Sequence, residues 1–492
     1  MTTRKQEFAL SLPEDKAGAT LTLRIAGALA RAIRTGRLKP GEPLPGSRAL
    51  AESLGVHRNT VLAAIKELEA EGWVESRQGS GTFVCDPLPH LTPQAWGRTQ
   101  AWRMKPAQDP GFTLPAPMGP ASLVNAAALE LGEPWPLTAH FPAEAFGRAC
   151  QRGLRLHAEA LLGPGDPRGP RLLRETLAGW LSEKQGFALT EDRLTLTGGG
   201  RHGLGLVLRV LFPSGGVIAV EDPGRFRAWD VMRSLPQLKL VPIPVDGEGL
   251  CVDDLERAIP RESIDAVYLT PSSQVPTGVP LSPERRQRLL ALARLHRLAL
   301  IEDHSEALLR LESVPLPPLA AEDPSGQVIC LGSLSRLLSP GLGLGFLIAP
   351  ESLLKRVTEL RRRWEGETPG LAAWALGDLW REGEVERTLR RSAQACRTVR
   401  DELARRLTLD LGDQIRLHAS AAGASLWITS ARSGEAWARR ARAQGLMIHA
   451  GKRFSFREED LPAIRVGLGR LCEEDVARAI QGLVQSFPDA VV

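Results

Sequence analysis

Residues 54–61 read Leu54-Gly55-Val56-His57-Arg58-Asn59-Thr60-Val61, and this stretch decides how the N-terminal part of the chain folds. Gly55 stops one helix and the next starts near His57, so two helices follow each other with almost no connection. Upstream, Leu21, Ile25, Leu29 and Ile33 recur at helical spacing, and Gly36 ends that helix. Pro40 to Pro45 predict a turn, after which Ser47 is placed to cap the short helix that Gly55 closes. The helix from His57 to Glu71 has Val61, Ile65 and Leu68 on its buried face, and Gly72 closes it. Two strands follow, Trp73 to Glu75 and Thr82 to Val84, joined by Arg77, Gln78, Gly79, Ser80 and Gly81. Closely spaced helices followed by a Gly-tipped hairpin predict a winged helix-turn-helix.

The chemistry of that module suits DNA. Arg58, Asn59 and Thr60 fall in the first turn of the second helix, where a recognition helix presents side chains to base edges in the major groove. Arginine can bond guanine bidentately, and asparagine can do the same with adenine. Free N–H groups at a helix start suit phosphate. Gly79 and Gly81 let the wing backbone approach a duplex. The segments Leu44-Pro45-Gly46-Ser47-Arg48, Leu54 to Val61 and Gly79-Ser80-Gly81-Thr82-Phe83-Val84 resemble the GntR family of bacterial regulators. That resemblance implies DNA contacts by Arg48, His57, Arg58, Asn59, Thr60 and the wing tip Gly79, Ser80 and Gly81. His57 departs from the serine or threonine usual at its position.

Composition fits this reading without proving it. The 492 residues are 43% apolar and 24% charged, as in globular proteins, and the length calls for more than one core. A net charge of +5 is too small to decide about nucleic acid, so local distribution must. Cys85, Cys150, Cys251, Cys330, Cys396 and Cys472 are scattered, with no metal-ligand spacing. No metal is therefore expected. No run of eighteen apolar residues occurs, and Met1 to Asp15 lacks the apolar core of a signal peptide. The expectation is a cytoplasmic protein with no membrane partner.

Four regions are expected: a DNA-binding domain at 1–85, a Pro-rich linker at 86–138, a large domain at 139–365 and a small α+β subdomain at 366–492. The end of the linker is expected to dock on the large domain. In the large domain, the apolar segments Val217 to Val220, Ala266 to Leu269, Leu298 to Ile301 and Val328 to Leu331 are separated by helix-period stretches such as Ser282 to Arg297. The alternation predicts an α/β fold, a mostly parallel sheet with flanking helices. Such sheets bind ligands beyond the carboxyl ends of their strands.

The C-terminal region resembles fold-type I aminotransferases, and the whole chain resembles the MocR subfamily of GntR regulators. The residues that carry the resemblance are Gly165-Asp166-Pro167-Arg168-Gly169, Glu221-Asp222-Pro223-Gly224, Thr270 to Gly278, Ile301-Glu302-Asp303 and Gly332-Ser333-Leu334-Ser335-Arg336. The resemblance implies a pocket for pyridoxal phosphate built from Gly199, Gly200, Arg201, Arg225, Gln274, Asp303, Ser305, Ser333, Ser335, Arg336 and Arg465. It also implies a lysine at position 336 to form the Schiff base, where Arg336 stands instead. A guanidinium stays protonated and cannot act as that nucleophile. Arg201, Arg225, Gly343 and Ser305 replace the family's glutamine, aromatic, arginine and tyrosine, while Asp303 is retained to face a pyridinium nitrogen.

The expectation is a regulator, not an enzyme, with no covalent pyridoxal phosphate. Its aminotransferase-like domain would supply homodimerisation, with a head-to-tail arrangement in the subfamily, and its winged helix would bind operator DNA as one of a symmetric pair. Arg201, Arg225 and Arg336, brought together, would favour a small anionic effector, with Arg465 in the position of a carboxylate-binding residue. Three alternatives stay open. They are non-covalent sensing of pyridoxal phosphate, an active aminotransferase with an accessory DNA module, and a scaffold whose arginines pair internally with carboxylates.

Overall fold

The computed structural model describes residues 10, 20–77, 79–89, 129–136, 138–312, 317–365, 370–420 and 422–488. Most of the expected linker, together with Gln78 and Met1 to Asp15 save Leu10, lies outside these residues. The chain divides into two compact units, Met1–Ala121 and Ser122–Val492.

In the first unit, α1 (Leu21–Arg34), α2 (Ser47–Leu54) and α3 (Arg58–Ala70) precede the hairpin β1 (Val74–Arg77) and β2 (Gly81–Val84). The periodic residues Ile25, Leu29, Ile33, Val61, Ile65 and Leu68 form one buried core with Leu44, Leu50, Trp73 and Val84. One expectation is corrected. Gly46 caps α2 and Ser47 begins it, with no side-chain cap bond, so the Ser47 hydroxyl is free to accept from Arg58.

The second unit begins with β3 (Leu129–Glu130), α4 (Ala143–Leu162), α5 (Arg171–Gln185), β4 (Leu194–Thr197), α6 (Gly200–Leu211), β5 (Gly216–Asp222), α7 (Phe226–Arg233), β6 (Leu238–Asp246) and β7 (Gly249–Leu250). It continues through α8 (Val252–Glu262), β8 (Ala266–Leu269), α9 (Pro283–His296), β9 (Ala299–Asp303), β10 (Val328–Ser333), α10 (Leu334–Leu337) and β11 (Gly345–Ile348). The remainder is α11 (Glu351–Trp364), α12 (Gly370–Arg381), α13 (Glu384–Leu411), β12 (Ile415–Ala419), β13 (Ser425–Ser430), α14 (Gly434–Ala443), β14 (Leu446–Met447), β15 (His449–Ala450), β16 (Ala463–Gly467) and α15 (Glu473–Gln485).

Eight strands form one sheet in the order β4-β11-β10-β9-β8-β5-β6-β7, parallel throughout except for β11 and β7. The four predicted strands are its centre. Each has a continuous apolar run because helices cover both faces, as parallel sheets require, and polar residues enter β5, β9 and β10 only towards their carboxyl ends. An antiparallel sheet, β12-β13-β16-β15, packs on α13 and α15 through Leu403, Leu407, Leu426, Ile428, Ile464, Ala479 and Leu483.

Two expected boundaries move. Leu129–Pro136 is not linker: β3 pairs in parallel with β14, and Leu131 is fully buried in the smaller core. Its apolar residues were hidden among prolines. At the other end, α12 buries Ala373, Leu376 and Leu379 in the large-domain core beside Leu173 and Leu177 of α5. The crossover to the smaller core falls within α13, between Val385 and Cys396, not at residue 366.

Candidate DNA interface and buried pocket

At the start of α3, His57 is the N-cap, and its ring Nδ1 accepts from the Asn59 N–H at 3.3 Å. The imidazole thus does the work of the serine or threonine hydroxyl usual at this position. Arg58 and Asn59 are exposed, Thr60 is half-buried, and Arg58 Nε donates to the Ser47 hydroxyl at 3.2 Å. That bond ties the recognition helix to the start of α2, where Arg48 is also exposed. Exposed Gly79, Ser80 and Gly81 form the wing tip, with φ of +77° at Gly79 and +109° at Gly81, values that side chains with a Cβ rarely adopt. A short segment braces the wing: Leu44 N–H donates to Thr82 and Gly41 N–H to Val84, each on a backbone oxygen. Arg77, beside the tip, pairs with Glu75 and lies over the Phe83 ring. All eight residues expected at the DNA surface therefore lie at the start of α2, the start of α3 or the wing.

The second site lies where β5, β9 and β10 end. Asp222, Asp303 and Ser333 are their last residues, and the chain then turns into Arg225, Glu306 and Arg336. Arg225 is 8% exposed; its Nε stands 3.3 Å from Asp303 Oδ2 and its Nη1 donates to Glu306 Oε1 at 3.2 Å. Arg336 donates to Glu133 at 2.8 Å and to Glu306 at 3.4 Å, with Trp135 beneath its guanidinium. Arg465, on β16, donates to Glu306 Oε2 at 2.5 Å and to the Ser425 hydroxyl. Asp303 also accepts from the Tyr268 hydroxyl at 2.8 Å and from the Ser305 N–H at 3.0 Å.

Burial by itself would push these carboxyls up, but the cations reverse it. Arg465, Arg225 and Arg336 hold Glu306 below the usual range. Arg225, with the bonds from Ser305 and Tyr268, does the same for Asp303. Glu133 is held well below its ordinary value by His449, Arg336 and Arg227. Burial pushes the Arg336 guanidinium down from its ordinary value, with Arg225 adding to the effect. Burial also raises Glu221, next to the end of β5, to about 7, although Thr270 donates to it through both its N–H and its hydroxyl.

The expected pocket is thus only partly assembled. Arg225, Asp303, Arg336 and Arg465 converge, but as partners of carboxylates and not as an open cationic patch. Arg201 is exposed at the start of α6 and makes no hydrogen bond or ion pair with them. Gln274 is a loop tie: its amide donates to the Pro223 and Val275 carbonyls and accepts from Thr277. Ser335 bonds both ways with the Leu344 backbone, and Ser333 caps α10 through the Arg336 N–H. Gly199 packs so closely on Gly345 that a Cβ at Gly345 would stand 2.7 Å from its Cα. Ser305 Oγ is buried without a partner, 3.1 Å from where a Cβ on Gly200 would lie.

Three residues escaped the reading of the sequence. Glu133 sits in a Pro-rich stretch that gave no sign of a site. Glu306 closes the run Asp303-His304-Ser305-Glu306, and its acidity beside the retained aspartate was a usable signal. Tyr268 is the chain's only tyrosine, and it brings a phenol to Asp303 from a neighbouring strand, since the expected position holds Ser305.

Comparison with known proteins identifies both units. Residues 21–84 match the model of bacterial regulatory proteins of the gntR family, and residues 129–483 match that of aminotransferase class I and II. The chain belongs to the aminotransferase class I and II family and joins to it a gntR-family module, the combination found in MocR-type regulators. It is 32% identical over 365 residues to the probable rhizopine catabolism regulatory protein MocR of Rhizobium meliloti, covering 73% of this chain and 71% of that one. It is 31% identical to the pyridoxine biosynthesis transcriptional regulator PdxR of Corynebacterium glutamicum, covering 73% of each. Among solved structures, α-aminoadipate aminotransferase LysN of Thermus thermophilus, complexed with N-(5'-phosphopyridoxyl)-L-leucine, is similar with a TM-score of 0.67 and 26% identity. That likeness covers 73% of this chain and 92% of LysN. Its fold is one in which pyridoxal phosphate can bind.

Proposed function

We propose that this chain is a sequence-specific DNA-binding transcription regulator whose aminotransferase-like unit performs no transamination. The observation that carries the reading is the first turn of α3, where Arg58 and Asn59 are exposed at a capped helix start beside an exposed wing. Selection of bound sequences from random duplexes by the purified chain tests it. Recovery of a defined motif supports the reading, and uniform recovery overturns it.

The pocket speaks against pyridoxal phosphate. Arg336 cannot supply the amine that a Schiff base needs. Among the described residues, no lysine makes a hydrogen bond or ion pair with the cluster; Lys355 and Lys452 pair with Glu351 and Glu435. Asp303, the partner for a pyridinium nitrogen, already faces the Arg225 cation and accepts from Tyr268. These residues do not fit the cofactor, covalently or otherwise. A visible spectrum with added pyridoxal phosphate, then borohydride reduction and intact mass, tests this: a reduced lysine adduct overturns it, as does amino-group transfer above background.

The unit serves as a dimerisation scaffold, and the regulator works in the cytoplasm as a homodimer on paired half-sites, in a head-to-tail arrangement. Among the described residues, no helix is long and apolar enough to cross a membrane. A small anionic effector has one observation in its favour: exposed Arg201 and the unpartnered Ser305 hydroxyl both lie at the N-terminus of α6. Titration with inorganic phosphate, with and without Arg201→Ala, decides this second reading.

A further inference from the structure

Glu306 stands where three arginines meet, and they come from three separate elements. Arg225 precedes α7, Arg336 lies in α10 and Arg465 in β16. Both carboxylate oxygens are engaged, Oε1 by Arg225 and Arg336 and Oε2 by Arg465. The other carboxylates are peripheral. Asp303 faces Arg225, and Glu133 faces Arg336 and Arg227, so Glu306 alone is shared by all three arginines. Arg465 Nε is buried without an acceptor, so the arrangement offers more donors than its anion takes up. A free carboxylate held by convergent guanidinium groups would be held in this way.

We propose that Glu306 is an internal carboxylate ligand: it fills a three-arginine anion cradle, excludes free carboxylates and phosphates from it, and fastens the four-stranded sheet to the eight-stranded one. Its competitive advantage is tethering, which gives the attached anion an effective concentration that a dissolved one does not reach. Arg465 lies in the smaller sheet and Glu306 follows β9 of the larger, so the bond crosses between them. The proposal does not depend on DNA binding or on the reading of α6.

The test is chemical rescue in the full-length chain. Glu306→Ala leaves the buried Arg465 facing no carboxylate and Arg225 and Arg336 with one each, and the melting midpoint of the second unit should fall by on the order of 5 °C or more. Sodium formate or acetate should restore most of that loss with a saturable dose response. Sodium chloride at equal ionic strength should not, and the wild type should respond to neither. A loss without rescue, or a wild type stabilised equally by formate, overturns the proposal. Should the alanine variant not fold, Glu306→Asp withdraws the carboxylate by one methylene and leaves room for formate; a midpoint indifferent to formate then overturns it.

Discussion

Arginine has opposite settings in the two units. Arg58 is exposed and, among the described residues, bonded only to a serine hydroxyl, whereas Arg225 and Arg465 are buried, Arg336 is largely so, and each faces a carboxylate. A hydrated guanidinium with spare donors can exchange its waters for a base edge at small cost. A buried one is committed: removing its partner leaves an uncompensated charge. The same side chain is a reader in one unit and part of the scaffold in the other, and what separates the two is the carboxylate beside it.

This contrast can be broken in four ways. The largest effect is expected from Arg225→Ala, which strips Asp303 and Glu306 of a cation and should destabilise the second unit by about 3–5 kcal/mol. Calorimetry measures it, and a loss below about 1 kcal/mol would place Arg225 among the weak surface pairs. The next concerns pH. Burial raises Glu221 to about 7, so its contribution is fully present below about pH 4.5 and is lost as pH rises toward 7. Relative to Glu221→Gln, the wild type should therefore lose about 3 kcal/mol across that window. Glu133, Asp303 and Glu306 run the other way, since their lowered values give stability that is present above pH 4 to 5 and lost on acidification.

Third, Arg58→Ala should weaken specific binding by about 1–3 kcal/mol and relax preference at one operator position, leaving the melting midpoint unchanged. Equal weakening on all sequences would make Arg58 a phosphate contact. The smallest effect is at His57: alanine should cost the first unit about 1 kcal/mol through the lost cap, while serine should restore it. Denaturant titration of both variants compares them. If His57→Ala costs nothing, the imidazole is at α3 for DNA and not for the helix.

Much of the fold was legible because it is local. Helical spacing located α1 and α3, and apolar runs located the four central strands, since each pattern is set by neighbours along the chain. The DNA surface was legible for the same reason: Arg58, Asn59 and the wing glycines lie in one short stretch. The pocket was half legible. Strand ends brought Arg225, Asp303 and Arg336 together as the α/β pattern implied, but Glu133 reaches Arg336 across some two hundred positions of sequence, and no local pattern carries that information. Ser335 and Gln274 were misplaced because a motif names residues without saying which way their side chains face. Arg201 likewise was expected to bring a charge into the pocket, whereas it is exposed at the start of α6 and does not join the buried cluster.

The parallel pairing of β3 with β14 has a mechanical consequence. Within the second unit, the Leu129 N–H donates to Gly445 and the Leu131 N–H to Met447, each on a backbone oxygen. Four residues after Leu129, and two after Leu131, the segment leaving β3 delivers Glu133 to Arg336 and Arg227. The segment at Leu129 is therefore secured twice, by two backbone bonds and then by the ion pairs of the buried Glu133, so that one carboxylate fastens its stretch of chain as well as closing the pocket.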